Sequence, residues 1–342
     1  MFLSIRGGTS NVWRVRIDEQ SGEVLGQPEP FTLASPNVRH FSMAPNGKQL
    51  VYESISIANH LYQAGFDPEQ RKLTGVPRPL LAGSLRIDSI NLSPDNETLV
   101  FRRHGLHEDL VTVNADGTGL RLLTDDDPRD RGPSWYRGSD RLIFYSDRSG
   151  KYEIWSIRRD GSDLKQLSDN QDGSGWFPEV SDSLGLVATF NDQGTLLMKM
   201  DPDTDLLGEP EALPRLPDTG HPFWGSTWSS DGKKLIGWSG PTINHDPATL
   251  TVWDHTTGTY SLLAEIEDPW NPLWLPDGSG ILFEGESGLE LVDLITKEVS
   301  TLIAEKDLPE IGGTAISTDG TVLYIMVSRI DGDLWMAELP QD

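Results

Sequence analysis

The stretch PSWYRGSDRLIFYSDRSGKYEIWSIRRDGSDLKQLS (133–168) holds four strand-sized pieces: PSWY (133–136), RLIFYS (141–146), EIWSIR (153–158) and LKQLS (164–168). Valine, isoleucine, leucine and aromatic residues alternate with polar ones at period two, and Gly-Ser and Asp-Gly pairs mark the tight turns between them. We name such pieces a, b, c and d. The a–b junction, SWYRGSDRLIF (134–144), has six further copies. They are SMAPNGKQLVY (42–52), NLSPDNETLVF (91–101), EVSDSLGLVAT (179–189), TWSSDGKKLIG (227–237), LWLPDGSGILF (273–283) and AISTDGTVLYI (315–325). Their turn positions, 46, 95, 138, 183, 231, 277 and 319, lie 42 to 49 residues apart. A period of that length with several short strands per copy predicts a β-propeller, because one copy cannot bury both of its own faces and must stack on its neighbours around an axis. No segment keeps a 3.6-residue period, so almost no helix is expected.

The ends of the repeat are irregular. FLSIR, NVWRVRID (11–18) and EPFTL (29–33) read as b, c and d without an a, and after the last turn motif the chain stops at a c strand, LWMAEL (334–339). The strands therefore predict an all-β propeller of seven or eight four-stranded antiparallel blades, with eight favoured and the first and last blades incomplete. The whole of 1–342 reads as one domain, since no Ser/Gly/Pro-rich linker interrupts the period. An incomplete first blade would make the seam formed by residues 1–36 and 312–339 the least stable part of a ring.

Composition narrows the functional classes. Of 342 residues, 53 are Asp or Glu and 28 are Lys or Arg, a formal charge of −25. Such a field repels phosphate backbones and anionic lipid, so neither nucleic acid nor membrane insertion is expected. There is no cysteine, which excludes disulfides, thiolate catalysis and Cys-based zinc sites. No signal peptide and no apolar run of 18 residues is present, so a soluble, cytoplasmic chain is expected as written, or a periplasmic one if it was separated from a membrane-anchored parent.

SPDNETLVF, SDRSGKYEIWSIRRDGSDLKQLS and WSSDGKKLIG resemble TolB-type, WD-like propeller repeats, and the resemblance covers essentially the whole chain. More narrowly, FLSIRGGTSNVWRVRIDEQSGEVLGQPEPFTL, HEDLVTVNADGTGLRLLTDDDPRDRGPSW and IDGDLWMAEL resemble propellers joined to bacterial serine/threonine kinases and winged-helix regulators. That resemblance implies a bacterial sensing and scaffolding module, and a place within a larger kinase or regulator. It also implies an innermost strand ahead of the first b strand, where this chain begins. The chain itself has no kinase glycine loop, HRD or DFG motif.

The turn Asp-Gly pairs are read as architecture, with Asp accepting local backbone hydrogen bonds and Gly taking positive φ. Asp147 and Arg148 are read as an internal ion pair. Because strands alternate in direction, the b–c and d–a loops share one face, and residues just ahead of each a strand should ring the central opening. They are Arg39, His40, Arg86, Asp88, Asp130, Arg131, Trp176, Phe177, His221, Phe223, Trp224, Trp270 and Asn271, with Glu310 on the last blade. Aromatic rings beside Arg, His and Asp suit a protein, peptide or small polar ligand, with Arg39, Arg86 and Arg131 holding an acidic or carbonyl-bearing group. The competing reading is that these aromatics wedge between blades.

Two clusters carry metal-ligand residue types. Asp125, Asp126, Asp127 and Asp130 share one loop that could attract Ca²⁺, but no calcium-loop spacing is present and Arg129 and Arg131 can neutralise them. HGLHED places His104, His107 and Glu108 together without the helical spacing or third ligand of a zinc site. No cofactor is expected. The GxSxG elbow of the hydrolase domains that accompany some propellers is missing, so a non-catalytic binding module leads. The alternative is a glycosidase- or lactonase-like hydrolase using carboxylates such as Asp88, Asp130 and Glu310 at the same mouth.

Overall fold

The computed structural model describes residues 1–4, 10–32, 38–81, 86–104, 107–243, 248–266, 269–308, 311–316 and 319–338, apart from the side chains of 56–58, 264–266, 312 and 329–331. Every regular element among the described residues is a β-strand. The chain divides into two compact units, one of Met1–Ala58 with Arg329–Asp342, the other of Asn59–Ser328.

The larger unit is a closed ring of six sheets. Its pattern is clearest at 130–166, where strands Asp130–Tyr136, Arg141–Ser146, Glu153–Arg158 and Lys165–Gln166 pair in sequence order. The b and c strands coincide with the runs RLIFYS and EIWSIR. Four more sheets repeat this order, and a sixth is assembled from Ile311–Ile316, the start of Val322–Glu338, the end of Gln49–Asp67, and Arg78–Leu81. The innermost strands are Ile87–Leu92, Asp130–Tyr136, Trp176–Ser181, Phe223–Trp228, Trp270–Trp274 and Ile311–Ile316; each touches the next, and the last touches the first.

Apolar residues sit between sheets, as period-two strands stacked face to face require. Val100, Leu110, Trp135, Leu142 and Phe144 fill one interface, and Tyr136, Ile143, Ile154, Val187 and Met198 the next. The ring is shut by Leu61, Ile87, Leu99, Phe101, Ala315, Tyr324 and Met326. Trp155, in the third strand of the 130–166 sheet, is only partly buried. Its outer face carries the Arg148 guanidinium, 5.2 Å from the ring centroid.

The repeated a–b turn behaves as read. Asp95, Asp231, Asp277 and Asp319 each accept the backbone N–H two residues on. Each copy also supplies a residue at φ between 62° and 72°: Gly47, Asn96, Gly138, Gly185, Gly232, Gly278 and Gly320.

The smaller unit contains the three-stranded sheet Phe2–Ser4, Asn11–Ile17 and Val24–Pro30, in the expected b–c–d order but with its third strand earlier than the expected 29–33, and the hairpin built on the first turn motif. Its core is small, formed by Val12, Val38 and Leu50.

Seven sheets form among the described residues, the lower of the two expected numbers. The eighth is missing because two expected b–c hairpins never turn. Gln49–Asp67 and Val322–Glu338 each run on as one long strand and pair with one another. Between Glu53 and Asn59 the chain offers no Gly or Pro, and its alternation simply continues. The final strand of the ring is thereby completed from the N-terminal side of the sequence.

Candidate functional site

Each inner strand of the ring is interrupted near its start by a bulge. The register shifts fall between Asp88 and Asn91, Arg131 and Ser134, Trp176 and Glu179, Gly225 and Thr227, Trp270 and Leu273, and Ile311 and Gly313. An extra residue in one strand bends it and re-aims the neighbouring side chains. Four of these bulges hold a residue at positive φ: Ser89 at 56°, Gly132 at 56°, Phe177 at 51° and Asn271 at 47°. For residues with a Cβ that conformation costs about 1–2 kcal/mol, and such strain collects at ligand sites.

The bulged residues surround a cavity of about 220 Å³ that receives lining from all six inner strands. Ser89, Gly132, Phe177, Ser226 and Asn271 come from the bulges; Phe190 and Trp238 come from the second strands of two sheets; Trp270 and Glu179 complete the wall. Phe177 stacks on Phe190 at 5.4 Å between centroids, and the edge of Trp238 meets Phe190 at 5.8 Å. Phe177 and Trp270 nevertheless remain 39% and 47% exposed. At Gly132 a Cβ would come 2.9 Å from the Tyr145 ring and 3.2 Å from the Phe177 backbone, so only glycine fits the close approach of these two sheets.

Two carboxyl groups beside the cavity are held neutral. Burial pushes Glu179 up to about 8, against a Ser134 Oγ hydrogen bond of 2.9 Å that acts the other way. Burial likewise pushes Glu284 up to about 8, although Asn271 Nδ2 donates to both of its oxygens at 3.1 Å. Glu284 also lines a second cavity with Gly285, Glu286, Gly288, Glu305, Leu308 and Ile311. Hydrogen bonds link adjacent inner strands around the channel: Trp228 Nε1 donates to the Glu179 carbonyl at 3.1 Å, Trp274 Nε1 to the Thr227 carbonyl at 3.1 Å, and Thr227 Oγ1 to the Pro272 carbonyl at 3.0 Å.

The ionic residues are committed elsewhere. Arg102 Nε donates to Asp88 at 2.6 Å and Nη1 to Glu108 at 3.1 Å, while Arg131 Nη2 donates to Glu108 at 2.8 Å and its guanidinium lies over Tyr152. His104 Nε2 also meets Asp88 at 2.6 Å. Burial alone would raise Asp88, but His104 and Arg102 outweigh it and hold the carboxyl well below its usual range.

Of the residues expected at the mouth, Phe177, Trp270 and Asn271 line the cavity. Trp176 is partly buried with its ring edge-on to Phe190, 6.5 Å away. Asp88 and Arg131 belong to the ion network, and Arg86 is exposed just ahead of its strand. Three expectations are corrected. Asp130 is fully buried, with both oxygens on Arg148 Nη2 at 2.8 and 2.7 Å. Trp224 is wholly buried, stacked on Trp238 with its Nε1 donating to the Asn191 carbonyl at 2.9 Å, and Phe223 packs on Tyr260. These are core groups because their cross-strand and inter-sheet neighbours are apolar or oppositely charged. His221 is partly buried on its loop, where its N–H meets Thr219 Oγ1 at 3.2 Å. Arg39 and His40 lie on Val38–Met43 in the smaller unit, with His40 Nδ1 3.0 Å from Glu53, and neither lines the cavity. Glu310 lies outside the described residues.

The expected acidic loop is tied down from within. Arg148 Nη1 donates to Asp126 at 2.8 Å, and Asp147 accepts the Arg129 N–H at 2.8 Å. His107 Nδ1 sits 3.0 Å from the Asp127 carbonyl oxygen.

Glu179, Phe190, Trp238 and Glu284 were not anticipated. One signal pointed towards the first: Gly132-Pro133, Phe177-Pro178 and Asn271-Pro272 stand at matching positions in three repeats. Proline inside a strand marks a bulge or an edge.

No family model matches the chain. Over 75 residues it is 32% identical to an uncharacterized protein of Agrobacterium fabrum, a match that takes in 22% of this chain and 25% of that protein, so the shared stretch spans only a quarter of the relative's length. Among solved structures, a putative TolB from Agrobacterium tumefaciens superimposes with a TM-score of 0.60 at 15% identity, over 80% of this chain and 99% of that one. TolB from Acinetobacter baumannii gives 0.52 at 15% identity, over 81% of this chain and 66% of that one. A chain of a nidogen/laminin complex gives 0.55 at 10% identity, over 79% and 98%. At these identities the likeness is one of fold, and the fold is a TolB-like β-propeller.

Proposed function

We propose that this chain is a non-catalytic binding propeller that engages a protein, peptide or small polar ligand at the axial cavity of its larger unit. One observation carries the reading: Phe177 and Trp270 are left substantially exposed in a concave site built by a bulge in every inner strand. Exposed rings gathered in a concavity with a few convergent polar groups are the usual composition of a ligand site. The narrower resemblance to regulator-attached propellers rests on the quoted residues alone and adds the proposal that binding serves sensing or scaffolding.

The hydrolase reading has its own observation, the pair of raised carboxyls. Glycoside-type chemistry needs one carboxyl protonated and its partner ionised. Here Glu179 and Glu284 are shifted in the same direction by the same cause, burial, and both are neutral at pH 7. The pairing therefore lacks a base or nucleophile, which favours binding over turnover.

A thermal-shift screen against peptide and metabolite panels tests this. Ligands should stabilise the wild type but not a Phe177→Ala/Trp270→Ala variant. Stabilisation untouched by the double substitution would move the site elsewhere, and chemical conversion of a hit, read by mass spectrometry, would restore the hydrolase reading.

A further inference from the structure

We propose that the axial cavity takes an organic cation, an ammonium group carrying alkyl or aryl substituents. The proposal rests on the reading of that cavity as a binding site and names the chemistry of its ligand.

The lining is the first argument. It presents four aromatic side chains, Phe177, Phe190, Trp238 and Trp270, and a single ionisable one, Glu179; no Lys, Arg or His is among the lining residues. An anion would find no opposite charge there, because Arg102 and Arg131 are already held by Asp88 and Glu108. An ammonium group finds both of its partners in one place, aromatic faces and a carboxyl. Its substituents are satisfied by the same apolar wall.

Glu179 supplies the second argument. Ser134 Oγ holds one of its oxygens, and the other has no hydrogen-bond partner among the described residues. No charged side chain faces it from the neighbouring strands: the 130–136 strand offers Ser134, and the 223–228 strand offers Trp228, which reaches only its backbone carbonyl. Glu284, the other titratable group nearby, is kept behind Asn271. A carboxyl in that setting stays protonated until a cation arrives, and cation binding then displaces its proton. A bare metal ion is a poorer occupant, since it needs several oxygen ligands at once. Among the described residues no group of three Asp, Glu, His or Cys side chains is placed to hold one.

The test uses isothermal titration calorimetry with choline, tetramethylammonium and tryptamine, and with 3,3-dimethylbutan-1-ol, which has choline's shape without its charge. At least one ammonium probe should bind, with choline about tenfold or more tighter than the alcohol, and below the Glu179 titration its affinity should increase about tenfold for each unit by which the pH is raised. Titrations in two buffers of different ionisation enthalpy should show close to one proton released. Glu179→Gln copies the neutral side chain and keeps an acceptor for Ser134, so it should stay folded by circular dichroism and bind choline no better than the alcohol. If the alcohol binds wild type as well as choline does, or if affinity is insensitive to pH and to Glu179→Gln, the cation assignment is wrong while the cavity remains a binding site. If none of the ammonium probes binds at millimolar concentration, the assignment is also wrong. Should Trp270→Ala, in addition, change the binding of no probe and of no ligand found by the thermal-shift screen, the binding reading fails with it.

Discussion

Glu179→Gln should make the protein more stable at pH 8 and leave it nearly unchanged at pH 4.5. Burial lifts the Glu179 carboxyl from 4.5 to about 8 in the folded chain. Between those two values the unfolded chain has released a proton that the folded chain retains, so stability falls as pH rises through the window. The slope is about 1.4 kcal/mol per pH unit for each such group, with a ceiling of roughly 5 kcal/mol per group over the full interval. Glu284, lifted to the same value, adds a second contribution of the same sign. Asp88 and Asp293 act oppositely: held low when folded, they lend stability above their ordinary 3.8 that is lost only as pH falls further. The resulting profile peaks near pH 5 and declines towards pH 8. Glutamine cannot ionise, so the variant should lose Glu179's share of the decline, a gain of about 2–5 kcal/mol at pH 8. Urea denaturation at both pH values, followed by tryptophan fluorescence and circular dichroism together, measures it. A wild type equally stable at pH 5 and pH 8, or a variant weaker than wild type at pH 8, would refute the assignment of a buried neutral carboxyl.

Trp224→Ala should cost about 3–5 kcal/mol of stability, because a wholly buried indole, its stack on Trp238 and its bond to Asn191 vanish together; a change below about 1 kcal/mol in chemical denaturation would place the ring at the surface. Gly132→Ala should destabilise and disturb the cavity at once, since the residue sits at φ 56° against Tyr145 and Phe177, and an unchanged melting temperature would contradict that packing. Amide hydrogen exchange should be fast over residues 10–32, which draw on the small core of Val12, Val38 and Leu50, and over 332–338, where Leu334, Trp335 and Met336 are exposed, and slow over Leu323–Val327 inside the closed ring. Equal protection of both would contradict this division. Arg148→Ala should cost about 3–5 kcal/mol by leaving Asp130 buried without its partner, and chemical denaturation of an Arg148→Ala/Asp130→Asn double variant should recover part of that loss.

The propeller was legible because its rule is local. Strands such as 141–146 and 153–158 carry period-two alternation and end at Gly or Asp-Gly turns, and both coincide with the reading. Failure began where the rule depends on a distant partner. A four-strand repeat requires a turn after the second strand, yet Gln49–Asp67 continues unbroken because another long strand, Val322–Glu338 from the far end of the chain, lies alongside to pair with it. The same distinction governs the site. Trp176, Trp224 and Trp270 hold equivalent positions ahead of a bulge, and nothing local separates them. Their fates differ through the residue opposite on the second strand: Phe190 for Trp176, Trp238 for Trp224 and Glu284 for Trp270. Two rings stacked at 6.4 Å exclude water and bury Trp224. Opposite Trp270 stands a carboxyl drawn towards Asn271 instead of a second ring, and Trp270 stays half exposed.

Part of the acidity has a local cause. Asp18, Asp67, Asp201, Asp254 and Asp293 open the turns after the third strand of their repeats, and each accepts two backbone N–H groups, two and three residues on. Such turns need a short side chain that is an acceptor only, and the ionised carboxylate is the strongest available. Asp293 shows the effect most plainly, since the Thr296 N–H leads the influences that hold its carboxyl down at about 2. These charges were placed for architecture, but the field they produce does not depend on why they are there. With 53 acidic groups against 28 basic ones, cations are concentrated near the surface and anions depleted whichever residues make the turns. The surplus therefore acts with the cavity's own chemistry: the surface gathers the charge type for which Glu179 and the aromatic wall are built, and raising ionic strength should slow cation entry more than it slows the neutral isostere.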